Sequence, residues 1–343
     1  MSTSSHLSRG APGVDPATRL GHAVIDQYLE FVEARARHNT LLATVSDLRV
    51  FFTEIDKEPA DVVVNDVLAF ITSQRQPLFE GRVVRLSDGE SGLMASTIKR
   101  RLSSLSGLFS YLVMIGERES NPVPKGLSTR RSRKDKGGLV PLVRTPRVLP
   151  KILEPAEVDA LMGALRRWRD RAMVEAMVLG GLRRCEVLGL RLEDLRPGEG
   201  RVFVADGKGG HQRLIPVSRR FFRSVAAYLS AERPEEAATE RLFVVLKGPR
   251  RGQPLSEDGL DEIVRYTRGR VGLAHCTCHE LRHTCLTRLR EAGMALEAIQ
   301  AQAGHRSIET TRIYLHLSNE WLADEYARAV SLIDTSVLEA VAQ

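Results

Sequence analysis

Between Lys125 and Arg147 the chain carries eight basic residues against one acid, Asp135, together with Gly137-Gly138, and it has several prolines in and around it. Such a stretch has too much charge to bury and too many breakers to hold a long helix, so it reads as a flexible tether. The segments on either side of it must then fold on separate cores, and 343 residues suffice for two. The expected layout is a mobile lead-in over 1–16, a helical domain over 17–124, a basic linker over 125–147, a second domain over 148–333 and a tail over 334–343. The linker alone accounts for a charge as large as the +7 of the whole protein. That balance suits a polyanion or an anionic surface as partner. The longest uncharged apolar run, near Ala176–Leu182, is far short of the ~20 residues that cross a bilayer, which argues against a membrane protein.

The expected fold class is mainly α with a small β-sheet. In the first domain, Leu20, Val24, Tyr28, Leu29 and Val32 recur at helical spacing within Ala17–Arg37. A second helix is predicted from about Thr40 to before Pro59, and a third, capped by Asn65, to before Pro77. A polar, Gly-containing loop is predicted over 80–93, and a fourth helix from about Ala95 to Ile115. The cations Lys99, Arg100 and Arg101 near its start are candidates for DNA contact, as are Arg131, Arg133 and Lys134 in the linker. In the second domain, helices are predicted over Glu157–Leu165, Asp170–Leu179 and Arg183–Leu190, with Gly180-Gly181 as the break between the last two. Arg201–Ala205 and Arg213–Val217 read as two strands of a hairpin whose tip, Gly207-Lys208-Gly209-Gly210, holds Lys208. Leu242–Leu246 reads as a further short strand. Phe221–Ala231, Ser256–Val271 (with Ser256 as N-cap), a segment from His279, Leu296–Ala303, Thr310–Leu317 and Trp321–Ile333 read as helices.

The four cysteines, Cys185, Cys276, Cys278 and Cys285, are too few and too irregular for a disulfide framework and fit a reducing compartment. The run His275-Cys276-Thr277-Cys278-His279 invites a zinc reading, but its ligands lie closer together than a metal knuckle allows and there is no second pair downstream. No metal site is expected.

The chemistry-bearing residues gather toward the end of the chain. Transfer of a phosphodiester needs cations on the non-bridging oxygens, an activated nucleophile and a proton for the leaving oxygen. Arg183 and Arg282 supply guanidinium forks, which fit two phosphate oxygens at once. Glu186 lies three residues after Arg183, where it can orient it. His279 and His305 supply imidazoles, and Tyr314 a phenol that needs cations and a base to act as nucleophile. Arg184, His211, His283 and His316 read as ordinary surface or core groups, His283 with a secondary supporting role.

These residues fall into a pattern that closely resembles the tyrosine recombinase (phage integrase) family. Gly180 to Leu190 is similar to its first signature box, and His279-Glu280-Leu281-Arg282-His283-Thr284 to its His-x-x-Arg box. Ala303-Gly304-His305 with Tyr314 nine residues on resembles the third, and Gly207-Lys208-Gly209 the catalytic-lysine hairpin. Thr97 to Leu102, through Tyr111 and Asn121-Pro122-Val123, looks like the end of the family's core-binding domain, so the likeness spans roughly 17–333. The resemblance implies a site-specific recombinase with Arg183, Lys208, His279, Arg282, His305 and Tyr314 as catalytic residues and Glu186 in support. Tyr314 would form a 3′-phosphotyrosyl intermediate, Lys208 would protonate the leaving 5′-oxygen and His279 would take the tyrosine proton. It further implies double-stranded DNA as substrate, a homotetramer on paired sites working through a Holliday junction, no cofactor, scope for accessory proteins, and a cytoplasmic, nucleoid-associated location. Rival readings are a DNA-relaxing enzyme sharing the chemistry, a silent DNA-binding regulator and a zinc-dependent nuclease.

Overall fold

The computed structural model describes residues 18–76, 92–126, 141–144, 150–205, 212–305 and Thr311. Contacts divide the chain into two compact units, Met1–Arg147 and Val148–Gln343. The predicted hairpin tip with Lys208, the linker cations Arg131, Arg133 and Lys134, and the segment bearing Tyr314 lie outside the described residues.

In the first unit four helices, α1 (Ala23–Arg35), α2 (His38–Ile55), α3 (Val64–Gln74) and α4 (Ala95–Met114), enclose one core. Ile25, Leu29, Leu48, Phe51, Phe70, Ile98, Leu105 and Phe109 are buried in it, and Phe51 meets Phe52 and Phe70 edge-on at 5.1 and 5.0 Å. Asp26 organises the approach to α1 by accepting the backbone N–H groups of Leu20 and Gly21 at 2.8 and 3.0 Å. The predicted cap at Asn65 is a correction. The helix already includes that residue, and the Asp66 carboxylate takes the Val63 N–H at 2.9 Å instead. Val143, counted with the flexible linker, is buried in this unit's core. An apolar side chain there can drive packing that the surrounding charge pattern conceals.

The second unit is built around α6 (Trp168–Val178), which comes after α5 (Pro155–Ala164). Ala172 through Val178 are all buried, as expected of a helix covered on every side. Beyond α7 (Arg184–Gly189) come β1 (Leu195–Arg196), β2 (Arg201–Val204) and β3 (Arg213–Pro216), an antiparallel sheet in sequential order with Val204 opposite Arg213. Among the described residues four further helices follow: α8 (Arg219–Ala231), α9 (Glu257–Arg270), α10 (Cys278–Glu291) and α11 (Leu296–Ala303). Ser256 caps α9 as expected, accepting the Gly259 N–H at 3.2 Å. Two-residue β1 was not foreseen. The strand expected over Leu242–Leu246 is reduced to an isolated bridge between Val244 and Pro254. Proline has no N–H with which to extend a ladder, and Val244 donates its own N–H to the Tyr228 hydroxyl. The mainly helical architecture with a small sheet is the one expected.

Candidate active site

The break after α6 creates the first half of the site. Gly181 sits at φ +69°, a conformation open to glycine, and a Cβ there would press on Leu286 at 3.1 Å. Its carbonyl accepts the Arg282 guanidinium. Arg183 was expected within the helix; it is extended and precedes α7 as its N-cap residue. From there its backbone N–H donates to Glu186 Oε2 at 2.9 Å, and its Nη1 to Oε1 at 2.7 Å. Arg184 turns elsewhere and pairs with Glu257 and Asp261 of α9, in keeping with an ordinary surface role.

Glu186 is the hub of the arrangement. Its side chain is wholly buried and also receives the Arg213 fork, Nη1 on Oε1 at 2.9 Å and Nη2 on Oε2 at 2.8 Å, with Arg282 Nη1 3.8 Å from Oε2. Burial alone would raise its pKa. The hydrogen bonds and charge of Arg213, then the N–H and charge of Arg183, outweigh burial and hold the carboxyl down at about 2. Three guanidiniums thus share one carboxylate, leaving an excess of two positive charges where an anion can be met.

The second half comes from α10 and the end of α11. Arg282 is buried at 2% exposure; it donates to the Gly181 carbonyl, to the Ala303 carbonyl at 2.7 Å and to His305 Nε2 at 3.1 Å. A guanidinium only donates, so His305 Nε2 is the acceptor and its proton sits on Nδ1, which donates to the buried Thr311 hydroxyl at 3.0 Å. The backbone holds His305 as well, through its N–H on the Gln300 carbonyl at 3.2 Å and its carbonyl on Gln300 Nε2 at 3.1 Å. Burial, then the charges of Arg282 and Arg183, lower the His305 pKa to about 4.

His279 stands on the first turn of α10, which Thr277 caps by accepting the Glu280 N–H at 3.2 Å. Its Nε2 lies 2.8 Å from that of His283 one turn on, the rings meeting edge-on. Desolvation and the charges of Arg282 and Arg183 lower its pKa, and burial with His279 and Arg282 takes His283 to about 4. Both imidazoles are therefore neutral at neutral pH. One ring nitrogen of the pair donates and the other accepts, so the tautomers of His279 and His283 are coupled.

The structure thus brings Arg183, Glu186, His279, Arg282 and His305 into one unit. Lys99 and Arg100 are exposed and Arg101 half-buried on α4. Arg100 and Arg101 pair with Asp47 at 2.6 and 3.8 Å. Sequence reasoning missed Arg213, Gln302 and Thr311. A signal for the first existed: Arg213 alternates with Leu214 and so shares the face of Ile215, an apolar residue that is buried. Burial and then Glu280 push the Cys276 thiol up to about 12, and burial and Asp261 raise Cys278, so both thiols are protonated at neutral pH. Among the described residues no group of three or more His, Cys, Asp or Glu is placed to hold a metal ion, and no helix is long and apolar enough to cross a membrane.

Comparison with known proteins gives a consistent picture. The model of the phage integrase family matches residues 151–320. The tyrosine recombinase XerC of Vibrio atlanticus (strain LGP32) is 34% identical over 246 residues, covering 69% of this chain and 73% of the relative. The tyrosine recombinase XerD of Listeria monocytogenes is 28% identical over 321 residues, covering 88% of this chain and 97% of the relative. In fold, the chain is similar to the Tn1549 transposon integrase solved with transposon right end DNA. That likeness has a TM-score of 0.66 at 18% identity and covers 90% of this chain and 99% of the other.

Proposed function

The chain belongs to the phage integrase family of tyrosine recombinases and is a site-specific DNA strand-transferring enzyme; from that premise we propose that Tyr314 is its nucleophile, acting on a phosphate held by Arg183, Arg282 and His305, the last exchanging the Thr311 hydroxyl for a phosphate oxygen at its Nδ1 proton. The observation that carries this reading is the convergence of Arg183, Arg213 and Arg282 on the single carboxylate of Glu186, beside a neutral His305. Donors fixed in advance around an excess of positive charge are what a phosphoryl group needs as it gains charge in the transition state.

In the proposed reaction the Tyr314 oxygen attacks the scissile phosphorus and its proton passes to His279, kept neutral by its surroundings and hydrogen-bonded to His283. The bond to the 5′-oxygen breaks, and Lys208 gives that oxygen a proton. The product is a 3′-phosphotyrosyl linkage and a free 5′-hydroxyl. A 5′-hydroxyl from a partner strand reverses the step, so the phosphodiester's energy is conserved without a cofactor. Two rounds of exchange pass through a Holliday junction, on paired duplex sites held by four copies of the chain. Lys99, Arg100 and Arg101, with Arg131, Arg133 and Lys134, contribute phosphate contacts that position the duplex. Work on DNA of the nucleoid puts the enzyme in the cytoplasm.

The test begins by trapping covalent adducts on fragmented genomic DNA and sequencing the captured site. A nicked duplex carrying that site is then incubated with the wild type and with Tyr314→Phe, in the presence of a chelator. The wild type should give a denaturant-stable protein–DNA band and the variant none. A protein that binds DNA yet captures no fragment would be a regulator, and a band that needs divalent metal would point to different chemistry.

A further inference from the structure

Arg213 counts in the proposed chemistry only as one of the charges on Glu186, but its contacts reach further. It is the first residue of β3, with a side chain 12% exposed and all three of its guanidinium nitrogens engaged by groups of the protein itself. Its two terminal nitrogens each take a different oxygen of Glu186, the fork-on-fork arrangement that fixes orientation as well as charge. Its Nε donates to the Gln302 carbonyl at 3.2 Å. The Gln302 side chain in turn donates to the carbonyls of Gly180 at 2.8 Å and Pro216 at 3.0 Å, tying the end of α11 both to the first box and to β3.

Gly304 adds an independent observation. It lies at φ +60° as the C-cap of α11, and a Cβ placed on it would stand 2.9 Å from the Arg213 guanidinium carbon. The arginine therefore packs directly against the turn that presents His305. The same Gly304 offers its carbonyl to Arg183 Nη2 at 3.1 Å. Arg213 thus touches both supports of Arg183, the Glu186 carboxylate and the Gly304 turn.

We infer that Arg213 is a positioning residue for strand transfer: acting through Glu186 and the Gln302–Gly304 turn, it fixes Arg183 and His305 in the geometry that receives the phosphate. This rests on the reading of Arg183 and His305 as phosphate-binding groups. A lysine cannot replace it fully, because an ammonium has no rigid fork with which to span both Glu186 oxygens and a carbonyl.

The experiment uses the full-length chain and the captured nicked duplex in two forms, one with the natural 5′-bridging oxygen and one with sulfur in its place. Sulfur leaves as a thiolate and needs no proton, so it relieves a defect in the leaving-group acid and leaves a defect in phosphate positioning untouched. Arg213→Met should bind the duplex as the wild type does and form the Tyr314 adduct more slowly, on the order of 10- to 100-fold. The deficit should persist on the sulfur substrate, whereas Lys208→Ala should be slow on oxygen and restored on sulfur. Arg213→Lys should recover part of the rate, and it serves as the test variant if Arg213→Met does not fold. Restoration of either Arg213 variant by sulfur, or a wild-type rate in a folded one, overturns the inference. Absence of any adduct with the wild type would instead sink the reading of Tyr314.

Discussion

Among the described residues, Asp47 in the first unit and Glu186 in the second are both buried against arginines, and the two are held very differently. Asp47 on α2 accepts Arg100 at 2.6 Å and the Ser104 hydroxyl at 2.8 Å through one oxygen only. Its other oxygen has no hydrogen bond among the described residues, with Arg101 Nε 3.8 Å away, and Arg100 itself is half exposed. Glu186 has both oxygens engaged, and its partners Arg183, Arg213 and Arg282 are only 20%, 12% and 3% exposed. The first arrangement keeps slack, which suits the phosphate contacts proposed for Arg100 and Arg101. The second has none, and phosphoryl transfer requires this, since donors must already point to where charge develops.

Removing each carboxylate should expose that difference. Glu186→Ala strands three inward guanidiniums and should cost about 3–5 kcal/mol of stability, with loss of adduct formation. Asp47→Asn, which keeps its shape and takes the counter-charge from half-exposed Arg100 and from the more distant Arg101, should cost about 1–3 kcal/mol and leave the cleavage rate of bound enzyme unchanged. Urea unfolding of both variants measures this, and equal costs would break the comparison.

The pH dependence of stability should carry the signature of the second unit. His283 and His305 have folded-state pKa values lowered to about 4 from 6.5, so their contribution is complete above 6.5 and is lost as pH falls through about 4. Glu186, lowered from 4.5 to about 2, has the same sign, and its contribution disappears between those values. Melting temperature should therefore fall in two successive acid windows, and Glu186→Gln should remove the lower one. A stability profile that is flat from pH 7 to 3 would contradict the described electrostatics.

The smallest effect is expected at Arg184. It pairs with Glu257 and Asp261 at a partly exposed surface, so Arg184→Ala should change stability by no more than about 1 kcal/mol and leave cleavage intact. A large catalytic loss would mean that the first box uses both of its arginines.

Much of the helical framework was legible because apolar spacing is local. Tyr28, Leu29 and Val32 are buried where their periodicity places them, and Leu296–Ala303 has the predicted ends. Arg183, Glu186, Arg282 and His305 could be found from spacing and resemblance, and the site joins them. What escaped was non-local. Arg213 reaches Glu186 across 27 positions and Gln302 across 89, and nothing in the neighbourhood of either announces the pairing. Helix capping misled for a related reason: Asn65 is a good N-cap residue, but Asp66 closes the turn from inside it.

The measurement that bears most directly on the proposed chemistry is peptide mapping of the trapped adduct. After nuclease and protease digestion, mass spectrometry should find a 3′-linked nucleotide phosphate on the peptide containing Tyr314, with a free 5′-hydroxyl on the released strand. A phosphate carried by any other residue, or a linkage through the 5′ end, would contradict it.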